Sequence, residues 1–269
     1  TPGFSGFTFV TSNLPANVQN TGIEIILSTK IFDNNTFKWE LKNSFAINKN
    51  KLLDYPHLSQ SPFKDRLIIG KPLNIGLYMK YIGVDPQTGL YQFEDVNKNG
   101  IVNDLDIYPV ILSPKFDGGI TNNVSYKNWN LSIFFYYRKQ IGNNILASSN
   151  YAGTMSNQSL EILRRWQKPG DITDVGKLTS TGNSSYNYFL NYSDSKVSDA
   201  FYIRLQNFSV SYQFPDLLKK QMGLTKLKIY LQGENLFIIT KYRGIDPEVQ
   251  TLGAMPYPRI ITAGLSCNF

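Results

Sequence analysis

The sequence predicts an all-β protein: about seven C-terminal strands of a large antiparallel transmembrane β-barrel with long extracellular loops. Three observations predict this fold class. Apolar and polar residues alternate with a period of two in seven segments, which is typical of strands with two different faces. Several of these segments are about 11 residues long, close to the roughly 9–11 residues that a tilted strand needs to cross a bilayer. The connections alternate between short and long, as in outer-membrane barrels.

The last strand shows the alternation clearly. Small or polar residues separate its apolar positions, and the apolar face ends on the aromatic C-terminal residue. These apolar positions are Ile261, Ala263, Leu265, Cys267 and Phe269. A small polar opposite face suits a wet lumen. An edge strand of a soluble sandwich would also alternate in this way, so the other strands have to decide.

The remaining strands repeat the pattern. In the second strand, Phe37, Trp39 and Leu41 share one face and charged residues share the other. The alternation changes phase near Asn207, which predicts a β-bulge. The predicted strands are 22–32, 37–48, 119–127, 129–139, 200–212, 227–237 and 259–269.

The connections between these strands are sorted by length. Short turns follow Phe32, Lys127 and Tyr212, whereas the long loops are 50–116, 142–199 and 238–258. Outer-membrane barrels have short periplasmic turns and long external loops, so this order predicts a periplasmic C-terminus. A short helix is predicted over 159–167, ending before Pro169 and Gly170.

Seven strands do not close a typical bacterial barrel, which uses an even number from 8 upward. An open edge in lipid would leave backbone groups unpaired. We therefore expect the remaining barrel strands to come from the same or another chain. The sequence begins at Thr1 without an initiator Met or a signal peptide, so we expect it to be a piece of something longer.

Composition argues against several other classes of protein. The net charge is +7, but Lys and Arg are mostly scattered singly, so no nucleic-acid partner is predicted. The single Cys and single His preclude an intrachain disulfide and a histidine metal site. We find no nucleophile elbow, metal-histidine motif or phosphate loop, and therefore predict no enzymatic activity.

One loop carries the oxygen ligands of a calcium site. The stretch from Asp95 to Asp106 matches the pattern D-x-[DN]-x-[DN]-G, with a carboxylate at position 12. The candidate ligands are Asp95, Asn97, Asn99, the backbone carbonyl of Ile101, and Asp106. Few formal charges predict a weak affinity for Ca²⁺. The alternative is an Asx-rich turn without metal, and a single copy does not match the two repeats of a dockerin.

Together, several stretches make the chain resemble the SusC/RagA family of TonB-dependent outer-membrane transporters. Their order and spacing carry the resemblance more than any one of them does. The stretches are 20–24, 91–106, 201–208, 234–237, 240–248, and Tyr257-Pro258-Arg259 with the final Phe. The most specific of them is 240–248, Thr-Lys-Tyr-Arg-Gly-Ile-Asp-Pro-Glu.

The resemblance implies a fold, a location and partners. The family has a 22-stranded barrel, an N-terminal plug and a TonB box in the outer membrane of Gram-negative bacteria, and this sequence resembles its C-terminal part. The plug domain and the TonB box are absent from residues 1–269. The implied partners are a SusD-like surface lipoprotein, TonB through the missing N-terminal part, and outer-membrane lipid. The implied activity is import of oligosaccharides or peptides, and the last strand would carry the barrel-assembly signal.

A different class remains open on the residues alone. A secreted soluble all-β carbohydrate-binding module with a calcium loop would also have alternating strands. Its sugar-stacking aromatics would be Trp166, Tyr186, Tyr188 and Tyr192. Such a module would be soluble without detergent, whereas a transporter segment would not.

Overall fold

The computed structural model describes residues 13–148, 153–155, 157–158, 160–216, 223–251 and 253–268. Its largest feature is one antiparallel sheet of seven long strands. They are β1 (Asn17–Asp33), β2 (Phe37–Asp54), β7 (Phe116–Tyr126), β8 (Trp129–Lys139), β11 (Tyr202–Gln213), β12 (Lys226–Thr240) and β13 (Ile260–Asn268). Their order in the sheet is their order along the chain. The predicted fold class of about seven antiparallel strands is confirmed.

The long connections contain shorter elements. Six short strands form three small two-stranded sheets: β3 (Ile75–Tyr78) with β6 (Tyr108–Ile111), β4 (Tyr81–Val84) with β5 (Tyr91–Phe93), and β9 (Ile141–Asn143) with β10 (Val197–Asp199). The helix α1 spans Ser184–Tyr192. Short 3-10 segments are Leu58–Gln60, Asp104–Asp106, Ile145–Ser148, Leu160–Arg164 and Asp194–Lys196.

The strand bounds differ most from the predicted ones in the first hairpin. β1 begins at Asn17 instead of 22, and β2 ends at Asp54 instead of 48. The two strands pair with each other along this extension, with Asn17 opposite Asp54. Backbone pairing does not require alternating apolar residues. The residues of the extension are mostly polar, so the sequence pattern did not predict that the strands continue there. β7 accompanies β2 only between Phe37 and Ala46, so the hairpin extends beyond its neighbour.

The long connections are also more ordered than predicted. The loop 50–116 contains β3, β4, β5 and β6, each of three or four residues. Strands this short offer too few positions for an alternating pattern to appear. The predicted helix over 159–167 is a 3-10 segment at Leu160–Arg164, and Ser159 lies outside the described residues. The sequence reasoning missed α1, which Asn183 caps by accepting a hydrogen bond from the amide of Tyr186.

The two faces of the large sheet differ in chemistry. One row across six strands is apolar: Trp39, Val124, Leu131, Val210, Leu231 and Ala263. The adjacent row on the opposite face is polar: Glu40, Asn123, Ser132, Ser209, Gln232 and Thr262. The predicted bulge is present, because the pairing register of β11 shifts between Leu205 and Asn207 on both sides.

Tight turns and aromatic pairs gather at one end of the sheet. In the first hairpin, the Asn34 side chain accepts hydrogen bonds from the amides of Thr36 and Phe37 at 2.9 and 2.7 Å. At the same end, Phe32 stacks on Trp39 with ring centroids 6.2 Å apart. Aromatic girdles of this kind flank the apolar band of outer-membrane barrels. Among the described residues, no helix has the length and apolar character needed to cross a membrane.

Candidate functional site

The long connections fold into a compact body, which we call the loop unit and define as residues 75–111 together with 160–199. The two stretches come from different loops and are separated by β7 and β8. They share a buried apolar core of Met79, Val84, Tyr91, Phe93, Tyr186 and Phe189. Because the core draws on both stretches, neither loop can bury its own aromatic residues alone.

Aromatic contacts hold the core of the loop unit together. The rings of Tyr91 and Phe189 stack with centroids 3.8 Å apart and planes within 5°. Tyr81 meets the Phe189 ring edge to face at 5.6 Å. Aromatic pairs in such arrangements contribute about 0.5–1.5 kcal/mol beyond their buried area. Tyr186 is fully buried and donates its hydroxyl hydrogen bond to the carbonyl of Lys177.

A polar clasp joins the two stretches at Asp194. The backbone of Met79 exchanges hydrogen bonds with the second loop, donating to Tyr192 and accepting from Asp194. The Asp194 carboxylate accepts the amide of Tyr81 at 2.9 Å and the hydroxyl of Tyr108 at 2.7 Å. Burial and this carboxylate together raise the pKa of Tyr108 above its usual range. The clasp therefore fixes the first loop against the second through both backbone and side chains.

A buried lysine closes the far end of α1. Lys196 is only 7% exposed, and burial lowers the pKa of its ammonium. Its Nζ donates to the carbonyl of Leu190 in the last turn of α1, where a cation interacts favourably with the helix dipole. The contact is structural and supports the loop-unit core.

The predicted calcium loop lies within the loop unit, between β5 and β6. The Asp95 carboxylate accepts the amides of Asn99 at 3.2 Å and Gly100 at 2.7 Å. Asn97 and Asn99 each accept an amide two residues onward. Gly100 has a φ of 86°, which supplies the sharp turn that such loops need.

Asp106 is the most constrained of these residues. It is 1% exposed, and its two carboxylate oxygens accept the amides of Val96, Asn97 and Asn103. Hydrogen bonds from the amides of Asn103, Asn97 and Val96 hold the pKa of Asp106 below its usual range. No group of three or more His, Cys, Asp or Glu side chains suited to a metal occurs within the described residues.

The loop chemistry nevertheless fits a hard cation. A carboxylate or amide oxygen has two lone pairs. The side-chain oxygens of Asp95, Asn97 and Asn99 therefore keep a lone pair beyond the hydrogen bonds given above. The Ile101 carbonyl would be a further oxygen ligand, and its side chain is exposed. The calcium site remains a prediction.

The proposed assembly residues lie on β13, an edge of the large sheet. Ala263, Leu265 and Cys267 stand opposite Leu231, Ile229 and Leu227 of β12. Ile261 and Leu265 are more than 60% exposed, and Cys267 is an exposed free thiol. Phe269 lies outside the described residues.

A buried ion pair on the polar face was missed by the sequence reasoning. Arg204 of β11 is 4% exposed, and Asp246 is 6% exposed. One guanidinium nitrogen, Nη2, lies 2.8 Å from each carboxylate oxygen of Asp246 and 3.4 Å from Glu248 Oε2. Both acidic residues lie in the stretch 240–248 that carries the family resemblance, but sequence alone gave no partner for them.

Three of the four proposed sugar-stacking aromatics lie in or against the loop-unit core, and the fourth, Tyr192, is 37% exposed. Tyr186 is fully buried in the loop-unit core, and the Trp166 indole packs against that core and donates to the carbonyl of Pro86. Tyr188 also packs against the core. The carbohydrate-module prediction is therefore wrong about the role of Tyr186, because the second loop needs that ring to pack on the first.

Comparison with known proteins finds relatives over the whole chain, although no family model matches it. TonB-dependent receptor P3 of Formosa agariphila is 25% identical over 315 residues, covering 100% of this chain and 30% of that receptor. TonB-dependent receptor SusC of Bacteroides thetaiotaomicron is 26% identical over 290 residues, covering 97% of this chain and 27% of SusC. The chain thus spans about 30% of the length of these curated relatives.

Solved structures agree with the fold. A chain from the structure of the RagAB peptide transporter matches with a TM-score of 0.81 at 23% identity, covering 100% of this chain and 31% of that one. The "open-open" state of the RagAB peptide importer gives a TM-score of 0.79 at 24% identity and covers 30% of its chain. The resemblance to the SusC/RagA-type TonB-dependent receptors is therefore confirmed over the whole chain.

Proposed function

We propose that the chain is part of a SusC-like TonB-dependent outer-membrane transporter that imports oligosaccharides or peptides. The observation that carries the proposal is the seven-stranded sheet with one apolar and one polar face, aligned over its full length with such receptors. In this role the apolar row that includes Val210 faces lipid. The polar row that includes Ser209 faces the lumen or a plug, and the remaining strands lie elsewhere in the complete receptor.

The proposed partners follow from the same assignment. The loop unit is built from the long connections, at the end of the sheet opposite the tight turns; in the proposed orientation it lies outside the cell and the C-terminus lies in the periplasm. There it would contact a SusD-like surface lipoprotein and the substrate. Coupling to TonB would occur through the N-terminal part of the complete receptor. Outer-membrane lipid would cover the apolar row.

Uptake measurements in the native bacterium test the proposal. A strain lacking the complete receptor should fail to grow on at least one oligosaccharide or peptide mixture that supports the parent strain. Depletion of TonB should reproduce the defect, and the plasmid-encoded receptor should restore growth only when TonB is present. Unchanged growth on every substrate tested, with the protein recovered in the soluble secreted fraction, would instead support the carbohydrate-binding module.

We also propose that the last strand carries the assembly signal of the barrel. The support is the exposed apolar row of Ile261, Ala263, Leu265 and Cys267 along β13. Phe269→Asp in the complete receptor should abolish insertion into the outer membrane, whereas Asn268→Asp, a charge one residue earlier, should not. Normal insertion of the Phe269 variant would contradict this role.

For the loop Asp95–Asp106 we propose weak calcium binding, in the range of about 10⁻⁴–10⁻³ M. The support is the spacing of its oxygen side chains and the free lone pairs on Asp95, Asn97 and Asn99. Thermal unfolding of the purified receptor should shift upward in millimolar CaCl₂, and Asp95→Ala should lose the shift. An equal melting temperature with CaCl₂ and with a chelator would leave the loop as an Asx-rich turn.

A further inference from the structure

The stretch after β12 folds onto the polar face of the sheet. We call residues 242–251 the inner segment. Its backbone and side chains contact the residues that follow β8 at several points. The carbonyl of Pro247 accepts the Gln140 side chain at 2.8 Å, and the carbonyl of Arg243 accepts the amide of Ile145 at 2.9 Å. The Gln250 side chain lies against Gly142, at a position where any Cβ would collide with it.

Four polar atoms on the strands around this contact have no hydrogen-bond partner among the described residues. They are Arg138 Nε, Ser198 Oγ, Tyr202 Oη and Arg204 Nε, and all four are buried. We call these four residues the donor strip. Arg138 of β8 stands opposite Tyr202 of β11 in the large sheet, and Ser198 of β10 stands opposite Gly142 of β9 in a separate two-stranded sheet.

Unpaired buried donors are unusual, because burial removes water without supplying an acceptor. Two of the four belong to guanidinium groups, which are permanently charged and match carboxylates in geometry. The Arg204 guanidinium also lies over the Tyr257 ring at 5.4 Å and the Tyr202 ring at 5.7 Å. A guanidinium held over aromatic rings keeps its edge donors available for a carboxylate.

The inner segment already supplies two carboxylates to this surface, Asp246 at 2.8 Å and Glu248 at 3.4 Å from Arg204 Nη2. Asp246 receives Arg204 Nη2 on both oxygens, yet Nε of the same guanidinium stays unpaired. Asp246 therefore uses only part of the donor capacity of Arg204, and Arg138 receives no carboxylate from the inner segment. A small cavity lined by Asn144, Tyr242, Asp246 and Gln250 lies at the same contact.

We propose that the donor strip is a carboxylate-binding site that the inner segment fills with its own Asp246. A small ligand with two or more free carboxylates takes the place of Asp246 when the inner segment lifts, and it satisfies the donors that Asp246 leaves unpaired. This inference deepens the proposed transport function, since it names a chemical class of ligand on the lumenal face. Its test measures binding rather than uptake, so either proposal can fail alone.

Binding of triglutamate to the complete purified receptor tests the site by calorimetry. Asp246→Asn removes the competing charge while keeping the acceptor for the amide of Glu248. Because an internal competitor lowers the apparent affinity by the fraction of sites it occupies, this variant should bind triglutamate about tenfold more tightly than the parent. Triglutamine, which lacks the side-chain carboxylates, should bind neither protein measurably.

Two further variants keep the test decisive. Arg204→Gln with Asp246→Asn replaces the buried ion pair by a neutral pair of similar shape, and it should lose triglutamate binding. Asp199→Asn removes an acidic side chain of the exposed pair with Lys139 outside the donor strip, and it should leave the affinity unchanged. Equal affinity in the parent and Asp246→Asn, or equal affinity in the single and double variants, would overturn the proposal.

Movement of the inner segment has its own readout. Arg243 is exposed within it, but its carbonyl accepts the amide of Ile145. Lifting of the inner segment breaks this hydrogen bond and frees the backbone for trypsin, so the rate of cleavage after Arg243 reports lifting. Triglutamate should accelerate this cleavage in the parent receptor, and Asp246→Asn should show the fast rate without ligand. Binding of triglutamate that leaves the cleavage rate unchanged would place its site elsewhere and contradict the exchange.

Discussion

The apolar rows of the large sheet and the core of the loop unit differ in how far they bury their side chains. On the sheet, Ile25 and Leu265 are 54% and 64% exposed, whereas in the loop unit Met79 and Tyr186 are fully buried. Within the described chain these side chains of the sheet are left mostly uncovered, while the loop-unit core is covered by its own residues. We therefore expect the two regions to be stabilised independently, so that a substitution in one leaves the stability of the other unchanged.

The largest expected effect breaks the loop unit. Phe189→Ala removes the ring stacked on Tyr91 and should cost about 3–5 kcal/mol, as for aromatic truncations in other cores. We expect rapid protease cleavage within 160–199 while the barrel still migrates as a folded, heat-modifiable band in gel electrophoresis. Phe32→Ala, which truncates a half-exposed ring on the sheet, is the control and should leave the loops protected. Loss of the folded band in Phe189→Ala would show that the two regions are coupled.

A second change breaks the sheet instead. Val210→Lys places a charge in the apolar row and should cost roughly 2–4 kcal/mol near the bilayer midplane. Ser209→Lys, one residue earlier, puts the same charge on the polar face. The yield of receptor in the outer-membrane fraction should fall for Val210→Lys only. Equal yields for the two variants would contradict the assignment of faces.

A smaller effect is expected at the clasp. Asp194→Ala leaves the amide of Tyr81 and the hydroxyl of Tyr108 without their acceptor, at a cost of roughly 1–3 kcal/mol. Tyr108→Phe removes one of the two bonds together with its donor and should cost less. Hydrogen exchange at the amide of Tyr81 should rise in Asp194→Ala and stay slow in Tyr108→Phe. Slow exchange in both variants would locate the stability of the loop unit in its aromatic core alone.

The smallest effect is a dependence on pH in one loop. The pKa of Asp106 is lowered in the folded state, so its ionised form stabilises the loop above the ordinary carboxyl pKa of about 3.9. That contribution is lost as the pH falls through the lower, folded value. Pepsin cleavage between Asp95 and Asp106 should accelerate across this acidic window, and Asp106→Asn should cleave with little dependence on pH within it. A parent protein without the acceleration would contradict this role of the carboxylate.

The difference between the two regions also explains what sequence could predict. The rows through Trp39 and Glu40 alternate residue by residue, because the two faces of each strand have chemically different surroundings. Such a pattern can be recognised within a single strand, without knowing its neighbours. The loop-unit core pairs Tyr91 with Phe189 across two strands of the sheet. Nothing in the sequence around either residue identifies the other as its partner. The sequence therefore suggested that Tyr186 is exposed, whereas the structure buries it.

The same limit applies to the candidate sites. Asp95, Asn97 and Asn99 lie within a few residues of one another, so their spacing alone indicated a turn rich in oxygen ligands. Arg204 and Asp246 come into contact only because the chain folds back onto the polar face of the sheet after β12. A lone arginine in a strand and an acidic residue in a loop are common separately. Their pairing requires the register of the strands, which sequence patterns do not fix.

The position of β7 and β8 between the two halves of the loop unit sets an order for biogenesis. Met79 precedes this hairpin and Asp194 follows it, so the clasp cannot form until the chain beyond the hairpin has been synthesised. A nascent chain that has not yet reached Tyr186 and Phe189 leaves Tyr91 and Phe93 without the rings that bury them. Protease resistance of the first loop would therefore report that the second loop has been made and has packed against it.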